Sequence, residues 1–183
     1  TRTDKVRFIV LTHLDQTETG VLQLCEEYTE ALGVRCLPVN LPDTVGSSLS
    51  SVSHVTFAEG AEGEFANARD ALIEAVVEID DEAMTRFLEE DITPSEKEAQ
   101  ELMRRSVSAG VLVPVVCVQP LAGQGINELF EFAKHELPSP ADGPFFHTVE
   151  SDEVRPSAEG TTLFVVKTVV DEFVGKLAVL RVV

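Results

Sequence analysis

The chain has 183 residues, of which 44% are hydrophobic, and a formal net charge of −18 at pH 7. Its length and apolar content suffice for one domain with appendages. No run of apolar residues approaches the length of a membrane span, and no charged and then apolar leader opens the chain, so we expect neither a membrane segment nor a secretory signal. The strong negative charge argues against direct nucleic-acid binding, which needs clustered lysine and arginine.

The cysteines and histidines do not form a metal-binding pattern. Cys25, Cys36 and Cys117 are odd in number and widely spaced, so we expect reduced thiols in the core of a cytoplasmic protein. The four histidines have neither i, i+4 pairing nor a nearby cysteine, so no metal site is expected. No G-x-S-x-G motif frames a nucleophilic serine.

The first predicted elements form a strand–loop–helix unit. Residues 6–12 form a buried strand that gives way to the polar stretch 12–15. Such a strand, followed by a helix, places binding groups at the carboxyl edge of a sheet. Apolar residues at three- and four-residue spacing predict an amphipathic helix over 18–32, which ends at Gly33.

The next stretch is less regular. Residues 34–41 are a second strand candidate, and Pro38 makes it an edge strand or a bulged one. The serine-rich stretch 44–54 has no hydrophobic period, and we expect it to be a mobile loop.

The middle of the chain is predicted to be helical. A first helix runs from about 62 to 82, and its apolar stripe consists of Phe65, Ala68, Leu72, Val76 and Ile79. A later helix ends at Gly110, and either Thr93 or Ser95 can serve as its N-cap.

The last third begins with an apolar strand. Residues 111–118 are continuously apolar, as in a strand covered on both faces of a parallel sheet. The helix that follows has apolar positions at Ile126, Leu129, Phe130, Ala133 and Leu137.

Residues 139–160 are predicted to be a linker, and residues 163–170 and 176–183 are predicted to form a β-hairpin. A lone hairpin is marginal in water. The chain is therefore expected to be truncated, with its hairpin packed on the α/β part, paired with another molecule, or poorly ordered.

Four stretches of the chain carry a family resemblance. They are LGVRCLPVNLP, the sequence that begins ALIEAVVEIDDEAMTRFLEED, the stretch VVCVQPLAGQGINELFEFAKHELPSPAD, and TTLFVVKTVVDEFVGKLAVLRVV. Through them the chain resembles translation elongation factor G and its paralogues. The resemblance implies an α/β fold with part of a GTPase-type, P-loop NTPase-like parallel sheet and its helices. It also implies an inserted, mainly helical subdomain and the first β-hairpin of a β-barrel domain.

The resemblance also implies a division of the chain. Residues 1–43 and 110–138 are the later half of a GTPase domain, 44–109 the inserted subdomain, 139–160 a linker, and 161–183 the start of the second domain. The sequence contains no G-x-x-x-x-G-K-[ST] phosphate-binding loop. No GTP hydrolysis is therefore expected from this chain alone, no catalytic residue is assigned, and GTP or GDP is expected only in the parent protein.

The guanine-reading motifs of the family are eroded. Their first loop has N-K-x-D, whose Asp accepts hydrogen bonds from guanine N1 and N2; here Asp15 remains, but Thr12 replaces the Asn and His13 the Lys. Their second loop has S-A, whose Ala N–H donates to guanine O6, and an ungapped match places Gln119 and Pro120 there. Proline has no N–H, and an unpaired purine oxygen costs about 1–3 kcal/mol. We expect weak guanine binding, none, or an altered base preference.

Acidic residues concentrate in the inserted segment. Residues 59–105 contain 15 acidic and 5 basic side chains, which is −10 of the total −18. Asp70, Glu74 and Glu78 follow i, i+4 spacing with Asp81 continuing the line, so they form one stripe on the predicted helix. A solvated face explains this stripe most simply. The resemblance implies the ribosome as a partner, and its stalk protein, whose lysines suit an acidic stripe.

Three functions stay open. The chain is a piece of a translational GTPase that acts on the ribosome in protein synthesis, or of a paralogue that binds the ribosome or its stalk without nucleotide. The third is altered base use, in which His13 and Gln119 read a base other than guanine.

Overall fold

The computed structural model of the chain describes residues 6–55, 57, 62–139, 146–147, 153–154, 161 and 163–182. The chain divides into two compact units, Thr1–Pro138 and Ser139–Val183. The elements of the first unit are, in chain order, β1 (Ile9–Leu11), α1 (Val21–Leu32), β2 (Arg35–Pro38), β3 (Asn40–Pro42), β4 (Val52–His54), α2 (Glu64–Val77), α3 (Asp81–Glu89), α4 (Glu96–Ala109), β5 (Leu112–Cys117) and α5 (Ile126–His135). Those of the second unit are β6 (Phe146–His147), β7 (Glu153–Val154), β8 (Leu163–Asp171) and β9 (Gly175–Val182).

A parallel three-stranded sheet lies at the centre of the first unit. Its strand order is β1-β5-β2, and every residue of β5 is buried. The prediction of a central apolar strand covered on both faces is therefore confirmed. β2 is an edge strand of this sheet, as Pro38 predicted, but it ends at Pro38, and the single strand predicted over 34–41 is divided between β2 and β3.

Local capping signals in the sequence predicted several helix ends correctly. α1 ends at Gly33 with a φ of 65°, and α4 ends at Gly110 with a φ of 71°. Both angles lie in the left-handed region that glycine favours. Of the two candidate N-caps of α4, the structure uses Ser95, whose hydroxyl accepts a hydrogen bond from the Glu98 N–H at 3.4 Å.

The first strand is shorter and less buried than predicted. β1 covers only Ile9–Leu11 of the predicted 6–12, and the side chains of Phe8 and Val10 are 39% and 41% exposed. β1 is an edge strand of the described sheet, where a side chain has neighbouring strands on one flank only. The ring of Phe8 nevertheless packs in a T-shaped arrangement with the buried ring of Phe132 on α5, with ring centroids 5.8 Å apart.

The loop predicted over 44–54 contains two short regular elements that the sequence did not predict. Residues 46–48 form a 3-10 turn, and β4 pairs antiparallel with β3. The Asp43 carboxylate holds the connection together, because it accepts hydrogen bonds from the N–H groups of Thr44, Ser50 and Ser51 at 3.0, 3.1 and 3.2 Å. It also accepts one from the Ser50 hydroxyl.

The single helix predicted over 62–82 is two helices. α2 ends at Val77, and Asp80 then caps α3 by accepting a hydrogen bond from the Ala83 N–H at 3.1 Å. The apolar stripe of α2 is confirmed at its centre, where Ala68, Leu72 and Val76 are buried.

The predicted stripe of α5 is confirmed at Ile126, Leu129 and Leu137, which pack against the core, and is wrong at two positions. Phe130 is 67% exposed and Ala133 is exposed, whereas Phe132 is fully buried. The acidic Glu136 is also buried and pairs with His54 at 3.4 Å. Because a buried carboxylate interrupts the apolar pattern, hydrophobicity alone did not show that Phe132 and Glu136 are buried.

The second unit contains the predicted hairpin. β8 and β9 pair antiparallel, and the Asp171 carboxylate holds the turn by accepting hydrogen bonds from the N–H groups of Phe173 and Val174 at 2.8 and 2.9 Å. The predicted linker 139–160 lies mostly outside the described residues. The exceptions are residue 139 and the short antiparallel pair of β6 and β7.

Candidate functional site

The two predicted base-reading loops follow neighbouring strands at the same edge of the sheet. β1 and β5 are parallel, with Leu11 opposite Cys117, and the Val118 N–H donates to the Leu11 carbonyl at 2.9 Å. The loop at 12–15 and the residues Gln119 and Pro120 therefore leave the sheet side by side. The structure brings these predicted site residues to one edge, where parallel sheets carry their ligands.

The first loop makes a tight turn directly after β1. Thr12 and His13 are exposed, and His13 has a φ of 59° and a ψ of 32°, in the left-handed region. Its carbonyl accepts a hydrogen bond from the Gln16 N–H at 3.0 Å. Leu14 is 2% exposed and anchors the turn in the core, which leaves Asp15 half-buried beside it.

Asp15 carries an acceptor that the described part of the chain does not satisfy. Its Oδ1 is buried and has no hydrogen-bond partner among the described residues. A buried polar atom without a partner costs about 1–3 kcal/mol, and such an atom is uncommon unless a ligand or water pairs with it. A ring or amino N–H of a base is the type of donor that this carboxylate can accept.

Gln119 carries a second such acceptor in the neighbouring loop. Its side chain is largely buried, and its Oε1 has no partner among the described residues. Its backbone is already occupied, because its N–H donates to the Gln124 carbonyl at 2.9 Å and its carbonyl accepts from the Gln124 N–H at 3.2 Å. Only the side chain of Gln119 is therefore available to a ligand.

Pro120 follows as the first residue of a 3-10 turn, Pro120–Ala122, and it is exposed. Its fixed φ suits the first position of a helical turn. Because proline has no N–H, Pro120 offers no backbone donor at this position.

Asn40 is a supporting residue that the sequence reading did not single out. It is fully buried; its Nδ2 donates to the Cys117 carbonyl at 2.9 Å, and its Oδ1 accepts from the Cys117 N–H at 2.6 Å. This pair of bonds fixes the end of β5 two residues before Gln119. The sequence signal that could have identified Asn40 is its position as a single amide side chain within the apolar run LPVNLP.

The stretch 43–51 also supports the candidate site, because it packs against the chain around both predicted base-reading loops. The Gln124 side-chain amide donates to the Ser50 carbonyl. On the other side, a Cβ added at Gly46 would lie 3.2 Å from Glu18 Oε1 and 3.5 Å from the Thr17 carbonyl oxygen. The segment that follows Asp15 and the loop that contains Gln119 are thus packed against one shared support.

The predicted acidic stripe does not lie on one helix. Asp70 and Glu74 are on α2, Glu78 follows the end of α2, and Asp81 begins α3. All four side chains are exposed. Two of them face arginines: Asp70 pairs with Arg69 and Glu78 with Arg35, each at 2.7 Å. The stripe is broken because Asp80 starts a new helix.

The three cysteines are buried and free, as predicted for reduced core thiols. Burial raises the pKa of Cys25 and of Cys117 to about 12. The described residues contain no group of three or more ligating side chains that could hold a metal ion. Within those residues no helix is long and apolar enough to cross a membrane.

Comparisons with known proteins agree with this architecture. No protein-family model matches the chain. The chain is 25% identical to elongation factor G of Rhodopseudomonas palustris (strain BisB18) over 201 aligned positions, which cover 96% of this chain and 29% of that protein. A crystal structure of a protein from Thermus thermophilus superposes with a TM-score of 0.71 and 26% identity, covering 96% of this chain and 27% of that one. The chain thus spans less than a third of the length of either protein. These comparisons confirm the resemblance to the elongation factor G family and the α/β fold that it implied.

Proposed function

We propose that this chain is part of an elongation factor G-like translational GTPase and that its base-reading loops recognise guanine weakly or not at all. The parent protein acts on the ribosome during protein synthesis in the cytoplasm and binds GTP or GDP to the extent that its site still works. The chain alone does not hydrolyse GTP, because its sequence contains no phosphate-binding loop motif.

One observation carries the proposal: the site has two buried acceptors and no backbone donor at Pro120. Asp15 Oδ1 and Gln119 Oε1 are buried acceptors without partners among the described residues. Guanine offers N–H donors to the first of them, but its O6 needs a donor, which Pro120 does not supply. The missing hydrogen bond leaves that oxygen unpaired and weakens guanine binding about tenfold to a hundredfold.

Altered base use is supported by Gln119. Its unpartnered Oε1 is an acceptor, and an exocyclic amino group, as on adenine, is a suitable donor for it. In this version the site prefers a base with an amino group where guanine has O6.

A nucleotide-independent role is supported by the acidic surface. Asp70, Glu74, Glu78 and Asp81 are exposed, and residues 59–105 carry a net charge of −10. In this version the parent binds the ribosome or its stalk protein through electrostatic steering of lysines toward that surface. The base-reading loops then no longer bind nucleotide.

Restoring the donor tests the proposal in this chain directly. Guanosine and adenosine, which lack phosphates and so report base recognition alone, are titrated while the backbone amide signals of Asp15 and Gln119 are followed by NMR. We expect Pro120→Ala, which restores an N–H, to bind guanosine about tenfold more tightly than the unsubstituted chain. Adding Asp15→Asn to this variant removes the gain, and Pro138→Ala is the matched proline control.

Other outcomes separate the alternatives. Guanosine binding that is equally tight in the unsubstituted chain and in Pro120→Ala would contradict the loss of a donor. Tighter binding of adenosine than guanosine, abolished by Gln119→Leu, would establish altered base use. Calorimetry of GTP, GDP and ATP with the longer parent protein completes the test, because absence of all nucleotide binding there would favour the nucleotide-independent role.

A further inference from the structure

A cavity of about 520 Å³ lies between α1, β2 and α2. This volume is within the range of about 300–1,000 Å³ that small-molecule sites occupy. None of the residues that line the cavity belongs to the base-reading loops, so the proposed function does not account for it.

The inner wall of the cavity is apolar. Leu22 and Cys25 of α1 face Leu37 of β2 and the small side chains Ala68 and Ala71 of α2. Burial raises the pKa of Cys25 to about 12, so its thiol is neutral at physiological pH and adds to the apolar wall. The two alanines leave the space that a larger side chain on α2 would fill.

The mouth of the cavity is negatively charged. Glu26 and Glu30 lie one turn apart on α1, both line the cavity, and both are exposed. The described residues that line the cavity include neither lysine nor arginine. An apolar wall thus lies beside two carboxylates that no lining side chain neutralises.

We propose that this cavity binds a small amphiphilic cation, whose apolar body fills the space beside Ala71 and whose protonated amine lies at Glu26 and Glu30. Apolar burial favours the body of such a ligand, and the two carboxylates select its charge. An anion with the same apolar body is repelled by the same two groups.

Two probes with the same carbon skeleton test the charge preference. Phenylbutylamine is a cation at pH 7 and phenylbutyrate is an anion, and their binding to the intact chain is measured by NMR with methyl-labelled alanine. We expect the amine to shift the methyl signals of Ala68 and Ala71 in a saturable way, with no shift at Ala133, which is exposed on α5. Phenylbutyrate is expected to bind at least about tenfold more weakly.

Two pairs of variants separate the apolar wall from the charged mouth. Ala71→Leu fills the cavity and is expected to weaken amine binding at least about tenfold, whereas Ala133→Leu leaves it unchanged. The double variant Glu26→Gln with Glu30→Gln is expected to weaken amine binding about fivefold. Its control, Glu27→Gln with Glu89→Gln, removes the same charge from exposed helix positions outside the cavity.

Three results would overturn the proposal. They are the absence of saturable amine binding, equal binding of the amine and the acid, and unchanged affinity in the Glu26 and Glu30 double variant. Because those two side chains are exposed, the double variant is informative even if Ala71→Leu fails to fold.

Discussion

At Gly125 the chain passes so close to the end of β5 that an added Cβ would lie 2.2 Å from the Cys117 carbonyl oxygen. The residue also has a φ of 73°, in the left-handed region. We expect Gly125→Ala to lower the free energy of unfolding by about 2–4 kcal/mol, since both the backbone strain and the clash must be relieved. Urea unfolding followed by circular dichroism measures this loss.

The chain offers a matched control at Gly123. This residue has the same φ of 73°, but a Cβ added there meets nothing within 4 Å. Gly123→Ala is therefore expected to cost only the left-handed strain, about 1–2 kcal/mol. Equal losses in the two variants would show that the close approach at Gly125 contributes nothing to stability.

Single residues were predictable from sequence where their role is local. Gly33 and Gly110 act within their own helix ends, so the residue type and its position beside an apolar period were sufficient, whereas for the start of α4 the sequence left Thr93 and Ser95 as alternatives. Asn40 and Gly125 act on Cys117, a residue distant from Asn40 in sequence, and no local pattern encodes such a contact. The sequence likewise does not show that the side-chain acceptors of Asp15 and Gln119 are buried without hydrogen-bond partners, because their burial depends on tertiary packing.

Among the elements, the connection between β3 and β4 depends on one carboxylate. Hydrogen bonds from the Ser50 hydroxyl, and then from the Ser50 and Ser51 N–H groups, lower the pKa of Asp43 from 3.8 to about 2. A group with a lowered pKa in the folded state stabilises the fold above its unfolded pKa and loses that contribution as the pH falls. We therefore expect the connection to be intact above about pH 4 and to loosen as the pH falls through about 2.

Amide hydrogen exchange at Ser50 and Ser51 measures this loosening. Asp43→Ala removes the acceptor, and we expect it to abolish the protection of both amides already at neutral pH. The amides of α4, which form no bond with Asp43, are the internal control. Unchanged protection of Ser50 and Ser51 in the variant would show that Asp43 does not organise the connection.

Two of the differences between the predicted and observed elements share one cause. The stretch 44–54 has no hydrophobic period, so nothing in its apolar pattern shows that a single aspartate orders it. Within the run EIDDEA, Asp80 looks like one more acidic residue of a continuing helix, although it caps α3. In both cases an acidic side chain bonds to backbone N–H groups, which composition and periodicity do not reveal.

On the scale of the whole molecule, the first unit contains its own core. The buried hydrophobic residues described in the structure lie between Leu11 and Phe132. We expect a chain that ends after Pro138 to unfold cooperatively, with a midpoint within about 2 °C of that of the full chain. Thermal unfolding followed by circular dichroism is the measurement, and a chain that ends after Gly110 and so lacks β5 is the unfolded control.

A large drop in the midpoint of the chain that ends after Pro138 would contradict a self-sufficient first unit. It would instead support the expectation that residues 161–183 pack on the α/β part. An unchanged midpoint leaves pairing with another molecule and poor order as the remaining expectations for these residues.

The break between α2 and α3 bears on the local unfolding of the molecule. Only Ala83 of α3 is buried, and Leu88 is 70% exposed, so α3 contributes little to the core. Its partly buried Phe87 packs against the core, and two ion pairs also involve this segment: Asp80 with Arg105 at 2.8 Å, and Arg86 with Glu98. Regions with few buried contacts undergo local unfolding at a small fraction of the global free energy. We therefore expect α3 to unfold and refold locally while the sheet stays intact, and because salt screens such ion pairs, we expect its population of open states to rise with ionic strength.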